Sequence, residues 1–182
     1  MNTRFRTCPT RLVLIGLTWT NVHAAGPAAT HDVQITIKPE CKLWFYMTPE
    51  RADKAPEQVP WNPSRAKSFS YVDPRTQITF YVESDGRHLA AIDSSGKLMW
   101  VRNPFEDSEL CPYRSPRPVI DELKTVEVTK DEPNYLNKRT GRQFRSLGMA
   151  DPSHKFLKLT FDSSQFGLLD ESTGDFLELG NN

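Results

Sequence analysis

Three side chains of the types found in hydrolytic triads lie within one short segment. Ser84, Asp85 and His88 could supply a nucleophile, an orienting acid and a base. They flank the Asp85-Gly86 dipeptide, which is typical of a tight turn, so their polar groups would compete with the backbone bonds of that turn. Nothing in the sequence supplies the base, orienting and oxyanion roles together. We therefore interpret His88 as a structural or solvated residue.

The sequence carries no signature of a known catalytic or cofactor site. Nucleophile-elbow, zinc-protease, phosphate-loop, EF-hand and dinucleotide-binding motifs are all missing. We predict no cofactor, no metal and no enzymatic activity; calcium on the acids of residues 106–109 is the weaker alternative to solvated side chains. Two carboxyl groups facing each other across a sugar could still hydrolyse a glycosidic bond. A carboxylate-dependent hydrolase of envelope polysaccharide, with Glu109 or Asp121 as candidate acids, is therefore an alternative function.

Two groups of basic residues could contact a partner. Arg114 and Arg117 lie beside Tyr113 in a proline-rich segment, and residues three apart point the same way in a polyproline II helix. With Trp61, they are our candidates for binding another protein, and a solvated edge loop is the alternative. The second group, which could contact anionic envelope polymers or lipid headgroups, consists of Lys138, Arg139, Arg142 and Arg145.

The cysteines indicate an oxidising compartment. Cys8 falls in a segment that we expect to be removed, which leaves Cys41 and Cys111. No histidine lies near them at metal-ligand spacing, so they give no zinc signature. A single disulfide between them is the simplest interpretation, and one free reactive thiol is the alternative.

Residues 1–24 have the order of a secretory signal peptide. Three arginines among the first 11 residues precede a short apolar run at 12–19, and Val22 and Ala24 are small residues at the cleavage positions. The run is much shorter than the ~20 residues that span a bilayer, so no permanent membrane anchor is predicted. We expect a protein of the periplasm or one that is secreted.

Charge excludes nucleic acid as a general partner. The full chain has 23 basic and 23 acidic residues, and loss of the three arginines would leave a net charge of −3 on residues 25–182. Proteins that bind nucleic acid through electrostatics carry a clear basic excess instead. The partner that we predict is another protein in the periplasm or outside the cell, and the oligomeric state is left open.

A single all-β domain is predicted for residues 25–182. The 14 prolines and 9 glycines disfavour a helical bundle, and apolar residues alternate with polar ones at 33–37 and 157–161 as in half-buried strands. Four segments run from an apolar residue through Asp or Asn and turn formers to Gly (Gln77 in the first), which is typical of β-hairpins. They are 72–78, 92–98, 136–142 and 169–176. We expect an antiparallel, hairpin-rich sandwich or meander with at most one short helix, at 118–123.

One stretch of the chain is similar to a known repeat. Residues 81–100, YVESDGRHLAAIDSSGKLMW, combine a D-G turn, a strand ending in A-x-D, a G-K turn and a strand closing on Trp. This order resembles a blade of the quinoprotein-type β-propeller, and 159–179 resembles a blurred copy. The resemblance implies a small propeller-like blade arrangement as the alternative fold, of at most about four blades at ~40 residues each. The cofactor-binding residues of that family have no counterparts here.

Three further segments shape the functional prediction. The proline-rich segments 48–67 and 103–118 are expected to be stiff loops, which lose little entropy on docking. The apolar run 42–47 is expected to be a buried central strand, or a strand that leaves one aromatic face to a partner. We predict an exported, non-enzymatic protein-binding module, most concretely an immunity or inhibitor protein against an envelope-directed toxin or hydrolase. A structural module of an envelope assembly is a further alternative.

Overall fold

The computed structural model describes residues 33–127 and 155–181. These residues are mostly β-structure, which confirms the predicted all-β class. They form three antiparallel sheets, and their α-helices are single turns. The predicted signal peptide, the hairpin at 136–142 and the second basic group (Lys138, Arg139, Arg142 and Arg145) lie outside the described residues.

Two four-stranded sheets make up most of the described chain. The first sheet consists of β3 (Phe69–Val72), β4 (Thr79–Val82), β5 (Leu89–Ile92) and β6 (Leu98–Arg102). The second consists of β7 (Ile120–Val126), β8 (Phe156–Phe161), β9 (Gln165–Asp170) and β10 (Phe176–Asn181). In both sheets each strand pairs with its neighbour in the sequence, so both are simple up-and-down meanders.

The two meanders bury one face against each other. Phe80 and Leu89 of the first sheet and Leu157 and Leu159 of the second are fully buried in one shared apolar cluster. Phe161 adds an edge-to-face ring contact, 5.6 Å between centroids, with Phe176. Because alternate side chains of each strand point to the same face, this single cluster holds the two sheets together as a sandwich.

A small third unit is attached through the disulfide. It contains β1 (Val33–Thr36), α1 (Lys42–Tyr46), α2 (Pro49–Asp53) and β2 (Gln58–Trp61). Strands β1 and β2 pair with each other, and Ile37, Cys41 and Val59 are buried between them and the helices. The Cys41–Cys111 bridge, with Cα atoms 5.0 Å apart, is formed as predicted.

Three of the predicted hairpins are confirmed, and so is their turn chemistry. The aspartate that opens each turn accepts a hydrogen bond on Oδ1 from the backbone N–H two residues later, at 2.7, 2.9 and 2.8 Å for Asp73, Asp93 and Asp170. The residue near the end of each turn has positive φ: +59° at Gln77, +85° at Gly96 and +76° at Gly174. Positive φ is the conformation that lets the chain rejoin the ladder in these turns.

Two local assignments from sequence are wrong. The run 42–47 is helix α1 and not a strand, because Pro39 starts a 3-10 turn that leads directly into it and Met47, at φ +66°, ends it. The short helix expected at 118–123 is not formed, because Ile120–Val126 is strand β7 and pairs with β8 along its length. Both segments are short, and short segments with only a few apolar residues fit either structure until their partners are known.

The two proline-rich segments also contain regular structure. Segment 48–67 includes α2 and β2, while 103–118 begins with α3 (Pro104–Asp107). Proline stands at the first helical position of both helices, where its missing N–H costs no intrahelical bond.

Within the described ranges, no helix has both the length and the apolar composition needed to cross a bilayer.

Candidate protein-binding surface around the disulfide

Helix α1 presents three large apolar side chains to solvent. Leu43, Trp44 and Met47 are each 53% exposed. Leu43 and Met47 are four residues apart and so lie on the same side of the helical turn, and Trp44 is adjacent to Leu43. Trp and Met are enriched at protein interfaces, and a half-exposed Trp is unusual on a surface that contacts only water. We call these three residues the α1 patch.

The same helix is anchored by its other side chains. Phe45 and Tyr46 pack against the buried cluster of the disulfide unit, their rings meeting edge to face at 4.9 Å. The Tyr46 hydroxyl donates to the Pro56 carbonyl at 3.5 Å. Cys41, 2% exposed, fixes the start of the helix through the disulfide. The α1 patch is therefore exposed on a support that is tied down at both ends.

Shortly after Cys111, the half-buried Tyr113 and the exposed Arg114 form a second group. The Arg114 guanidinium lies 4.8 Å from the centre of the Tyr113 ring, and its Nη1 donates to Ser164 Oγ at 3.4 Å. Arg114 itself has φ +58°. The expected polyproline II helix, which requires φ near −75°, is therefore wrong at this residue.

Trp61 and Arg117, the other two candidates for partner contact, are packed against each other. The Arg117 guanidinium lies 5.3 Å from the centre of the Trp61 ring, and Trp61 is 9% exposed. Burial lowers the pKa of Arg117, and the nearby charge of Arg87 lowers it further. The four candidates thus form two pairs, Trp61–Arg117 in the packed part of the molecule and Tyr113–Arg114 at the surface.

The polar groups of Asp85 and His88 form hydrogen bonds within their own turn, as the sequence suggested. Asp85 Oδ1 accepts from the backbone N–H groups of Arg87 and His88, and its Oδ2 lies 2.5 Å from His88 Nδ1. Burial would raise the pKa of Asp85, but these hydrogen bonds outweigh it and lower the pKa below its ordinary value. Glu83, Asp85 and His88 each bring a metal-ligating atom within 4.8 Å of the others. A cation there would compete with the Asp85–His88 hydrogen bond.

Two of the acidic residues at 106–109, Glu106 and Asp107, bind other side chains or backbone groups of the protein. Glu106 pairs with the buried Arg87 and accepts from the Asn103 amide at 3.1 Å, while Asp107 accepts from the Asn103 backbone N–H at 3.1 Å. Asn103 in turn caps α3 through its side-chain oxygen. Glu109 and Asp121, the candidate acids of a hydrolase, are both exposed, and Asp121 lies 3.6 Å from Lys67 Nζ.

A buried ion network that the sequence did not predict connects the two sheets. Arg75 Nη2 donates to Asp73 Oδ2 and to Glu171 Oε1, both at 2.7 Å, and to the Phe156 carbonyl at 2.8 Å. Asp73 is fully buried and Glu171 is 2% exposed. Trp100 Nε1 also donates to the Glu171 carbonyl at 2.9 Å. One arginine from the first hairpin therefore binds groups from both sheets.

The two carboxyl groups of this network have very different proton affinities. Burial would raise the pKa of Asp73, but hydrogen bonds from Arg75 lower it to about 2. Burial raises the pKa of Glu171 to about 7, although a hydrogen bond from Thr76 opposes the shift. Such a split is common at acid–base active sites, but a substrate cannot reach two carboxyl groups that are buried to this degree. We interpret the network as structural.

Sequence reasoning took residues 42–47 as a strand and offered a face for a partner only as the alternative, because an apolar run is most often buried. The available signal was Pro39, three residues before Lys42, since proline is favoured in a first helical turn. A helical reading would have placed Leu43 and Met47 on one side of the turn.

Comparison with known protein families, curated proteins and solved structures finds no match for this chain.

Proposed function

We propose that this protein is an exported, non-enzymatic binding module that attaches to another protein through the α1 patch and the Tyr113–Arg114 pair, which follow the two cysteines of the disulfide in the sequence. The observation that carries the proposal is the exposure of Leu43, Trp44 and Met47 on a disulfide-anchored helix. The signal-peptide pattern of residues 1–24 and the disulfide support a periplasmic or secreted location.

The chemistry of the surface favours a partner with an apolar cleft. Half-exposed Leu, Trp and Met side chains gain on the order of 1–2 kcal/mol each when they are covered. Because α1 is held by the disulfide and by Phe45 and Tyr46, little conformational entropy is lost on docking. The exposed Arg114, three residues after Cys111, adds one positive charge, which suits a carboxylate at the rim of the cleft.

An inhibitor or immunity protein that blocks an envelope-directed toxin or hydrolase is the most concrete form of this function. Active-site clefts of such enzymes combine apolar walls with acidic groups. A short, rigid, aromatic prominence fills a cleft of that kind and excludes substrate. The proposal predicts a stoichiometric complex and loss of the enzyme's activity in that complex.

Affinity capture of the purified protein with matched variants tests the proposal. Trp44→Ala and Leu43→Ala should each weaken capture of the partner roughly 10- to 100-fold, the range for an interface hot spot. Leu98→Ala removes a leucine of nearly equal exposure, 54% against 53%, from the first sheet and should leave capture unchanged. A complex that survives Trp44→Ala and Leu43→Ala together would exclude the α1 patch as the binding surface.

A turnover assay separates this proposal from the hydrolase alternative. Envelope polysaccharide should remain intact in the presence of the purified protein. If the wild type cleaves the polysaccharide and Glu109→Gln or Asp121→Asn loses that activity, the protein is a carboxylate-dependent enzyme and the binding-module proposal is wrong.

A further inference from the structure

The outer face of the first sheet is an uncharged, largely apolar surface. The strand register arranges its side chains in two rows that cross all four strands. The first row is Ser70, Tyr81, Ala90 and Val101, and the second is Val72, Thr79, Ile92 and Leu98. None of these residues is charged, and Arg102, at the end of β6, pairs with the inward-facing Leu89.

This face is open in the described part of the protein. Val72, Tyr81 and Val101 are 49%, 46% and 42% exposed. A bulge in β6 inserts Met99 between Leu98 and Trp100, so that Leu98 and Met99 are both exposed, at 54% and 39%. Half-exposed side chains of this size present on the order of 80–100 Å² each, which gives a patch of roughly 400–500 Å².

The large and small side chains of the first row are placed so that two copies of the row can fit together. Tyr81, a large side chain, lies directly beside Ala90, a small one, on the neighbouring strand. Cross-strand neighbours have Cβ atoms about 5 Å apart, so the ring and the depression over Ala90 lie side by side. A two-fold axis that runs along the strands, midway between β4 and β5, would stack each Tyr81 over Ala90 of the partner subunit.

We propose that a second copy of this chain covers the outer face of the first sheet and forms a two-fold symmetric dimer. Sheets that pack face to face bury alternate side chains at a spacing of about 10 Å, as the two sheets within one copy already do. Because the face carries no charge, identical faces approach without electrostatic repulsion. The same axis stacks Thr79 over Ile92 of the partner subunit, so both rows acquire apolar contacts.

The size of the patch sets the strength of the dimer. Two copies would bury roughly 800–1,000 Å² from the large side chains, and the smaller residues of the rows add to this. Interfaces of this size are near the lower limit for specific association, so we expect a reversible dimer with a dissociation constant in the micromolar range. This surface is separate from the α1 patch and needs no other protein as its occupant.

Sedimentation equilibrium of the purified protein, up to about 200 μM, tests the inference with a swap of the two central residues. The wild type should dimerise. Tyr81→Ala removes the ring and Ala90→Tyr fills the depression, so each single variant should weaken association at least tenfold. The double variant restores one large and one small residue in exchanged places, and the two-fold axis stacks them again, so it should recover most of the wild-type affinity.

Every outcome of this experiment decides the inference. A wild type that stays monomeric over the whole concentration range overturns it, and so does a dimer that both single variants leave intact. Association that is lost in the single variants and not recovered in the double variant overturns the two-fold pairing of Tyr81 with Ala90. Trp44→Ala serves as the control, because it should weaken partner capture and leave the dimer unchanged. Circular dichroism verifies that each variant is folded.

Discussion

Asp73 and Glu171 bind the same guanidinium, yet they hold their protons at very different pH values. The pKa of Glu171 is about 7 in the folded protein, against an ordinary value of 4.5. Between these values the folded chain binds more protons than the unfolded chain, so a rise in pH favours unfolding. The contribution of Glu171 is therefore complete below pH 4.5 and is lost as the pH rises through 7.

We predict that the free energy of unfolding falls by on the order of 3 kcal/mol between pH 5 and pH 8 because of this residue. Glu171→Gln keeps a group of the same shape between Arg75 and Thr76 and should abolish most of that pH dependence. Urea denaturation at several pH values measures it. Glu127→Gln, which removes an exposed carboxylate from the same arginine, should leave the slope in place.

Arg75 should be among the most sensitive single residues in the described chain. Its removal would leave the buried Asp73 carboxylate without its cation, and we predict that Arg75→Gln lowers stability by about 3–5 kcal/mol. Lys67→Gln breaks an exposed pair with Asp121 and should cost less than about 1 kcal/mol. Equal losses in these two variants, measured by urea denaturation, would contradict the role given to the network.

At the level of single elements, the hairpin turns at Gly174 and Gly96 differ in how closely other atoms pack around the glycine. A Cβ added at Gly174 would lie 2.6 Å from Arg102 Cγ and 2.9 Å from the Trp100 ring, whereas one added at Gly96 would meet nothing within 4 Å. Both residues have positive φ, so both substitutions carry about 1 kcal/mol of backbone strain. We predict that Gly174→Ala costs about 2–4 kcal/mol and Gly96→Ala about 1 kcal/mol. Thermal melts of the two variants make the comparison, and a smaller loss at Gly174 would mean that Trp100 moves aside freely.

The elements differ in how far the sequence could predict them. Hairpins are encoded locally, since an aspartate and a residue with positive φ within a few positions define the turn. The segments at 42–47 and 118–123 contain no such pair of residues; Pro39 was the local sign of helix α1, and pairing with β8 makes Ile120–Val126 a strand. The Arg75 network joins residues almost a hundred positions apart, so no local pattern contains it.

On the scale of the whole molecule, the disulfide stabilises the fold by constraining the unfolded chain. Cys41 and Cys111 are 70 residues apart, and a crosslink over that distance is worth about 4 kcal/mol in the chain-entropy model. We predict a loss of about that size in the double variant Cys41→Ala/Cys111→Ala, measured by urea denaturation. The wild type treated with reductant should show the same loss, and an unchanged midpoint would contradict the prediction.

The positions of the two cysteines also bear on the order in which the chain can fold. The first sheet, residues 69–102, lies wholly between Cys41 and Cys111, whereas β7 to β10 all follow Cys111. Each strand of the first sheet pairs with its immediate successor, so that meander has low contact order and can form quickly. A chain that is threaded from its N-terminus would therefore present the first sheet and both thiols before any strand of the second. Oxidation would then close the covalent loop that contains the first sheet before the second sheet has formed.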